Sequence, residues 1–171
     1  MLWLVSKPGS KKQKKPSNMK LKKSSRTIKK IILHSTATPE GRVVSTNKIR
    51  HWHMSGNGWS DIGYHYVCEL NGKVVEGRDV NRNGAHTRGE NGTSIGIVYV
   101  GGCDENMEPK DTRNNAQKKG LEKLISKLMK MYPDATLHGH NEFSNKACPS
   151  FDVQEEYDYL INPKVEEKDE E

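Results

Sequence analysis

Two hydrophobic periods alternate along this chain. Continuous apolar runs, expected of strands buried on both faces, occur at KKIILHST (29–36) and SIGIVYVGG (94–102), with a shorter one at ATLHGH (135–140). GYHYVCEL and KVVEGRD (63–79) flank Asn71-Gly72 and read as a hairpin, its tight turn using positive φ at both central residues. Helical spacing governs TNKIRHWHMS (46–55), capped by Thr46 and packing Ile49, Trp52 and His53. It also governs 113–131, where Leu121, Leu124, Ile125, Leu128 and Tyr132 fall on one face and Pro133 ends the helix. FDVQEEYDYLI predicts a final helix starting near Ser150. Pro39-Glu40-Gly41 predicts a turn, and the polar, glycine-rich stretch 80–94 a surface loop. Strands interleaved with helices, plus one hairpin, predict the α/β class: one domain with a mixed central sheet of about five strands flanked by helices.

Charge divides the chain further. Eleven of its 28 Lys/Arg lie within residues 1–30, and all 22 Asp/Glu lie beyond them. Residues 1–26, rich in lysine, serine and proline without apolar periodicity, read as a basic flexible arm. A mildly acidic domain over 27–162 and an acidic tail over 163–171 follow. The arm suits an anionic cell-wall polymer or a membrane surface. No specific nucleic acid is expected, because the domain is acidic and lacks interleaved aromatic residues. The opening MLWLV stops at Ser6-Lys7-Pro8-Gly9, short of the roughly 7–15 apolar residues of a signal peptide. The chain is therefore expected to be a monomer made in the cytoplasm without an export signal. Three cysteines are too few for a disulfide framework, and Cys68 and Cys103 read as packing and turn residues.

Three side chains suited to a metal stand near strand ends: His34 closing KKIILH, His140 closing ATLHGH, and Cys148 in GHNEFSNKACPSFD (139–152). Zinc accepts imidazole and thiolate, and its catalytic sites use three protein ligands with one position open. Seven histidines offer many such triples, however, and a strand-end histidine is commonly structural. His138, two residues before His140, would share its strand face. By the same alternation Tyr64 and His65 should face opposite sides, Tyr64 as packing and His65 in the core or behind a site. His51 and His53 read as helix-surface and packing residues. Trp59 either lines a sugar cleft or caps the core.

Four segments in order change that estimate. ILHSTAT (32–38), GWSDIGYHYVCELNGKVVEGRD (58–79), GAHTRGENGTSIGIVYVGG (84–102) and GHNEFSNKACPSFD together resemble the zinc-dependent N-acetylmuramoyl-L-alanine amidases of the phage-lysozyme and peptidoglycan-recognition-protein type, from about Ile31 to Asp152. The resemblance implies His34, His140 and Cys148 as zinc ligands; its register, with the ligand eight residues before the cysteine, selects His140 over His138. It implies Tyr64 and Lys146 as catalytic residues, Pro149 as the lock on the Cys148 loop, and His86 and Asn91 on a substrate-facing loop. Trp59 joins these as a third substrate-binding candidate. Where family members often carry His-Arg-Asp or His-His-Glu, this chain has His140-Asn141-Glu142, which touches the middle position and not the ligands.

The implied activity is hydrolysis of the amide between N-acetylmuramic acid and L-alanine in peptidoglycan. Zinc would serve as Lewis acid and water activator, with Tyr64 and Lys146 as donors to the oxyanion. Such an enzyme acts on the cell wall after release from the cytoplasm. The alternative is a non-catalytic peptidoglycan-binding module. Relatives of that kind typically carry serine at the position of Cys148.

Overall fold

A computed structural model describes residues 19–165. In chain order it contains β1 (Lys30–Ser35), β2 (Thr38–Pro39), α1 (Thr46–His51), β3 (Tyr66–Cys68), β4 (Val74–Glu76), β5 (Ser94–Tyr99), β6 (Gly102–Cys103), α2 (Asn115–Met131), β7 (Thr136–Gly139), α3 (Val153–Glu156) and α4 (Asp158–Ile161). Five strands form a mixed sheet ordered β4-β3-β5-β1-β7, and β2 pairs with β6 beyond its end. Only the β3–β4 pairing is antiparallel in the main sheet. The central apolar runs are β1 and β5, paired from Lys30–Ser94 to Ser35–Tyr99. Burial on both faces explains their unbroken hydrophobicity.

The two faces are covered unequally. Ile31, Leu33, Ile95, Ile97, Tyr66 and Leu137 pack with Leu121, Leu124, Ile125 and Leu128 of α2 and with Val153 and Tyr157 of the C-terminal helices. The opposite face has a smaller cluster, in which Val67 and Val98 meet Ile49 of α1 with Val44, Ile62 and Val100. That smaller cover leaves part of the face to histidines. Among the described residues no helix is long and apolar enough to cross a membrane.

Local chemistry moved several boundaries. Ser45, not Thr46, caps α1: its Oγ accepts from Lys48 N at 3.1 Å, while Thr46 begins the helix and donates its hydroxyl to Glu69. Past His51 the helix widens into a π turn at Trp52–Gly56. The hairpin turn holds only Gly72 at positive φ. Glu69 O accepts from Gly72 N and Glu69 N donates to Lys73 O, so the loop is a three-residue turn with a glycine bulge rather than a two-residue one. A Cβ on Gly72 would strike the Ala116 carbonyl, because the turn lies against α2.

Helix α2 starts two residues later than expected because Asn114 and Gln117 form a reciprocal capping box. The last helix starts after Asp152, whose side chain accepts from Glu155 N, and breaks at Tyr157 into α3 and α4. Ser150, the expected start, has φ 72° and lies in the preceding loop.

Packed chain also begins before residue 27. Ser24 N donates to the Tyr132 hydroxyl, and Arg26 donates to the carbonyls of Val80, Asn91, Gly92 and Ser94. A segment read as arm thus ties the 80–94 loop to the sheet, since a guanidinium can satisfy several loop carbonyls at once. Residues 1–18 of the expected arm and 166–171 of the expected tail lie outside the described residues.

Candidate active site and metal centre

His34 is the fifth residue of β1, on the thinly covered face with Ile32. The β1–β7 register pairs Leu33 with Gly139, so the chain leaves β7 beside His34 and delivers His140 there at the start of a 3₁₀ turn. The two rings lie 4.6 Å apart. Cys148 reaches the same point from its loop, with Sγ 3.7 Å from His34 Nδ1. The ligand atoms of His34, His140 and Cys148 all lie within 4.8 Å of one another. Zn–N near 2.0–2.1 Å and Zn–S near 2.3 Å put tetrahedral donors roughly 3.5 Å apart, so the group is of the right size and chemistry for zinc.

Anchors behind each side chain fix it. The Tyr99 hydroxyl donates to Pro149 O at 2.7 Å, and Ser150 Oγ donates to Gly102 O at 2.8 Å. These bonds hold the loop just past the cis Cys148–Pro149 peptide. Arg113 stacks 3.6 Å from the centre of the Phe151 ring, backing the loop further. Ser35 N donates to Cys148 Sγ at 3.1 Å. The Ser35 hydroxyl is buried and makes no regular hydrogen bond among the described residues, yet it lies near enough to Sγ to favour the thiolate.

Behind His34 runs a relay of hydrogen bonds. His34 Nε2 is 2.9 Å from His86 Nδ1 and 3.2 Å from Thr87 Oγ1, and His86 Nε2 is 3.2 Å from Ser94 Oγ. If His34 Nδ1 keeps its lone pair toward Cys148, Nε2 is the N–H donor to His86, which can in turn donate to Ser94. Asn91 Oδ1 accepts from the backbone N–H groups of both His86 and Thr87 and so holds this corner.

His86 and Asn91, expected on a substrate-facing loop, are half-buried and brace His34. Both ring nitrogens of His86 and the Asn91 carboxamide oxygen engage protein, behind His34. His86 fits there because Gly84 and Gly96 carry no Cβ, which would collide with its ring.

Tyr64 stands on the open side, its ring 5.2 Å from that of His34. Its hydroxyl makes no hydrogen bond within the described residues. Burial, and then the charge of Cys148, push its pKa well above the ordinary phenol value, so it remains a proton donor. His53 bridges Tyr64 to half-exposed Trp59, with ring separations of 5.4 and 4.8 Å. Gly63 N donates to its Nδ1, which turns Nε2–H outward from that bond.

His65 does not face away from Tyr64: its ring lies 5.8 Å from His86, on the same side. Strand β3 begins only at Tyr66. Just before it, the consecutive carbonyls of Tyr64 and His65 accept from Arg78 and Gly77, an irregularity that breaks alternation. His65 is buried, accepting from Gly96 N and lying 2.9 Å from Arg82 O.

Exposed Lys146 lies at the mouth. Burial lowers the pKa of His34 and His140, with His86 and His140 adding to the effect on His34, and the Lys146 charge lowers both further. Neutral imidazole is the form that binds metal. Burial raises the Cys148 thiol, opposed by the Ser35 donors and by Lys146. His138 stays out of the cluster, one row along the same sheet face: its Nε2 is 2.7 Å from Thr136 Oγ1 and its Nδ1 is 2.9 Å from Glu142 Oε1. Exposed His51 lies outside the cluster, its Nδ1 3.3 Å from Ser55 Oγ.

Sequence comparison adds an independent line. The N-acetylmuramoyl-L-alanine amidase family profile matches residues 24–151. The endolysin of Klebsiella phage KP32 is 39% identical over 124 residues, covering 72% of this chain and 82% of that protein. Peptidoglycan-recognition protein SC2 of Drosophila melanogaster is 30% identical over 133 residues, covering 73% and 70%. Among solved structures, the N-acetylmuramoyl-L-alanine amidase LysC from Clostridium intestinale URNW superposes with a TM-score of 0.69 at 28% identity, covering 81% of this chain and 88% of that one.

Proposed function

The chain belongs to the N-acetylmuramoyl-L-alanine amidase family and hydrolyses the amide between N-acetylmuramic acid and L-alanine in peptidoglycan, and we propose that it does so with zinc held by His34, His140 and Cys148. The observation that carries this reading is the convergence of two imidazoles and one thiol within 4.8 Å, with the outward nitrogen of the first already bonded. Bound there, zinc supplies a Lewis acid for the scissile carbonyl and lowers the pKa of water toward neutrality.

The remaining work falls to the chain's own groups. Tyr64, kept protonated by its surroundings, donates its hydroxyl to the carbonyl oxygen as negative charge develops there. The Lys146 ammonium, reaching in from the exposed loop, stabilises the same charge. Proton delivery to the leaving amine of L-alanine falls to one of these two groups or to water held by Tyr64. His86 and Thr87 hold the His34 ring in the tautomer that presents Nδ1. Trp59, continued inward by His53, gives the open side an aromatic wall against which a sugar ring can lie. Cys148 favours catalysis over simple binding, because a thiolate completes a three-ligand set that serine would leave weak. We place the enzyme's action at the cell wall, after its release from the cytoplasm.

Digestion of purified peptidoglycan followed by mass spectrometry tests the reading. Peptides with new L-alanine N-termini, no new reducing sugar ends, and abolition by a chelator with recovery on adding zinc are the expected result. Cleavage that persists in metal-free protein overturns the metal assignment.

A further inference from the structure

On the sheet face away from His34, the β4 edge and α2 enclose a groove of about 1240 Å³ that takes no part in the chemistry above. Half-buried Met19, Leu21 and Val74 line it together with Leu124, and Val75 borders it at the strand edge with its side chain on the Val67 side of the sheet. Lys119, Lys123 and Lys127 stand one turn apart along its α2 wall, and Lys73 lies at the hairpin end. Glu76 is the one acidic residue lining it. Apolar walls and a lysine row therefore occupy one face.

We propose that this face docks on an anionic phospholipid bilayer. Acyl-chain carbon packs against Met19, Leu21 and Val74, while the α2 lysines meet headgroup phosphates. Each half of the arrangement needs the other. A purely anionic polymer has no use for the apolar walls, and an apolar protein partner has no use for the lysine row. Peripheral binding to acidic membranes combines buried apolar area with lysine–headgroup attraction. Docked this way, the protein turns the open side of His34 and Tyr64 from the bilayer toward the wall.

Co-sedimentation of the full chain with vesicles tests this. Binding is expected to vesicles of equal phosphatidylcholine and phosphatidylglycerol, to be weak on phosphatidylcholine alone, and to fall with salt. The Lys119→Gln/Lys123→Gln variant should bind the mixed vesicles about tenfold less tightly. Val74→Ser should also lose vesicle binding while keeping its retention on a soluble glycerol-phosphate polymer. Both substitutions lie away from His34, so cleavage of a soluble muropeptide should be unchanged and shows that each variant is folded. Equal binding to neutral vesicles, or undiminished vesicle binding by the lysine variant, overturns the proposal. Loss of polymer and vesicle binding in parallel on Val74→Ser also overturns it, because the face would then lack a lipid-specific component.

Discussion

The two faces of the sheet solve different problems with the same strands. One face of β1 and β5 carries Ile31, Leu33, Ile95, Ile97 and Tyr99 against α2, a continuous hydrocarbon layer. The other carries Ile32, His34, Ser94, Gly96 and Val98, and beside it lie three buried or half-buried histidines. Hydrophobic burial is non-directional and tolerates substitution of like volume. A bonded histidine cluster depends on distance, tautomer and the absence of a methyl group at Gly96. Stability should therefore be concentrated on the first face, and chemistry on the second.

The largest expected effect is on the second face. His140→Ala should remove zinc and reduce activity to background, while His138→Ala keeps both at a reduced level. The two residues stand two apart, one in β7 and one just past its end, but only His140 joins the cluster; His138 is spent on Thr136 and Glu142. Zinc content of the two purified variants decides it, and a metal-free His138 variant would reassign the ligand.

Leu128→Ala sharpens the comparison from the other side. Leu128 is fully buried on the inner face of α2, and its truncation should cost about 2–5 kcal/mol. Activity per folded molecule should hold, with zinc content unchanged. Denaturant unfolding together with an active-site titration separates these outcomes, and a proportional loss of zinc would show the faces to be coupled.

Acidification distinguishes the faces without mutation. Burial pushes His65 down to about 4, whereas the same imidazole in the unfolded chain titrates near 6.5. Between those values the unfolded chain binds the extra proton. Stability from this group is thus fully present above about 6.5, falls as pH drops, and levels off below about 4. The total is about 3 kcal/mol. In metal-free protein, His65→Gln should flatten the fall in melting temperature between pH 6.5 and 4. An unchanged slope would assign the acid sensitivity elsewhere.

How much of this could be read in the sequence follows the same division. Runs of apolar residues located β1, β5, α2 and β7, because burial writes itself into periodicity. The strand-end positions of His34 and His140 followed from that. The inward placement of His86 did not, because it depends on Gly84 and Gly96, a packing relation across β5. The shared side of Tyr64 and His65 was hidden as well: alternation assumes a regular strand, and the ladder before Tyr66 is irregular. Ser24 and Arg26 looked like part of a polar arm because their partners are a tyrosine hydroxyl and loop carbonyls, which leave no pattern.

Ser35 gives the smallest effect. Its backbone N–H already donates to Cys148 Sγ, and its hydroxyl is buried beside that sulfur without a regular partner. Gly102, at φ 102°, leaves the space the hydroxyl occupies; a Cβ there would strike Ser35 Oγ. An unsatisfied buried hydroxyl costs stability, so Ser35→Ala should leave the metal-free protein as stable or raise it by about 1 kcal/mol. If the hydroxyl also turns to support the thiolate, the same change should weaken zinc affinity, by up to about tenfold. Stability and affinity then move in opposite directions, which a simple packing role does not produce. Melting of the metal-free variant and chelator competition for zinc measure the two separately. Unchanged affinity with raised stability would reduce Ser35 to an unsatisfied polar group, and the backbone N–H alone would be the donor to Cys148.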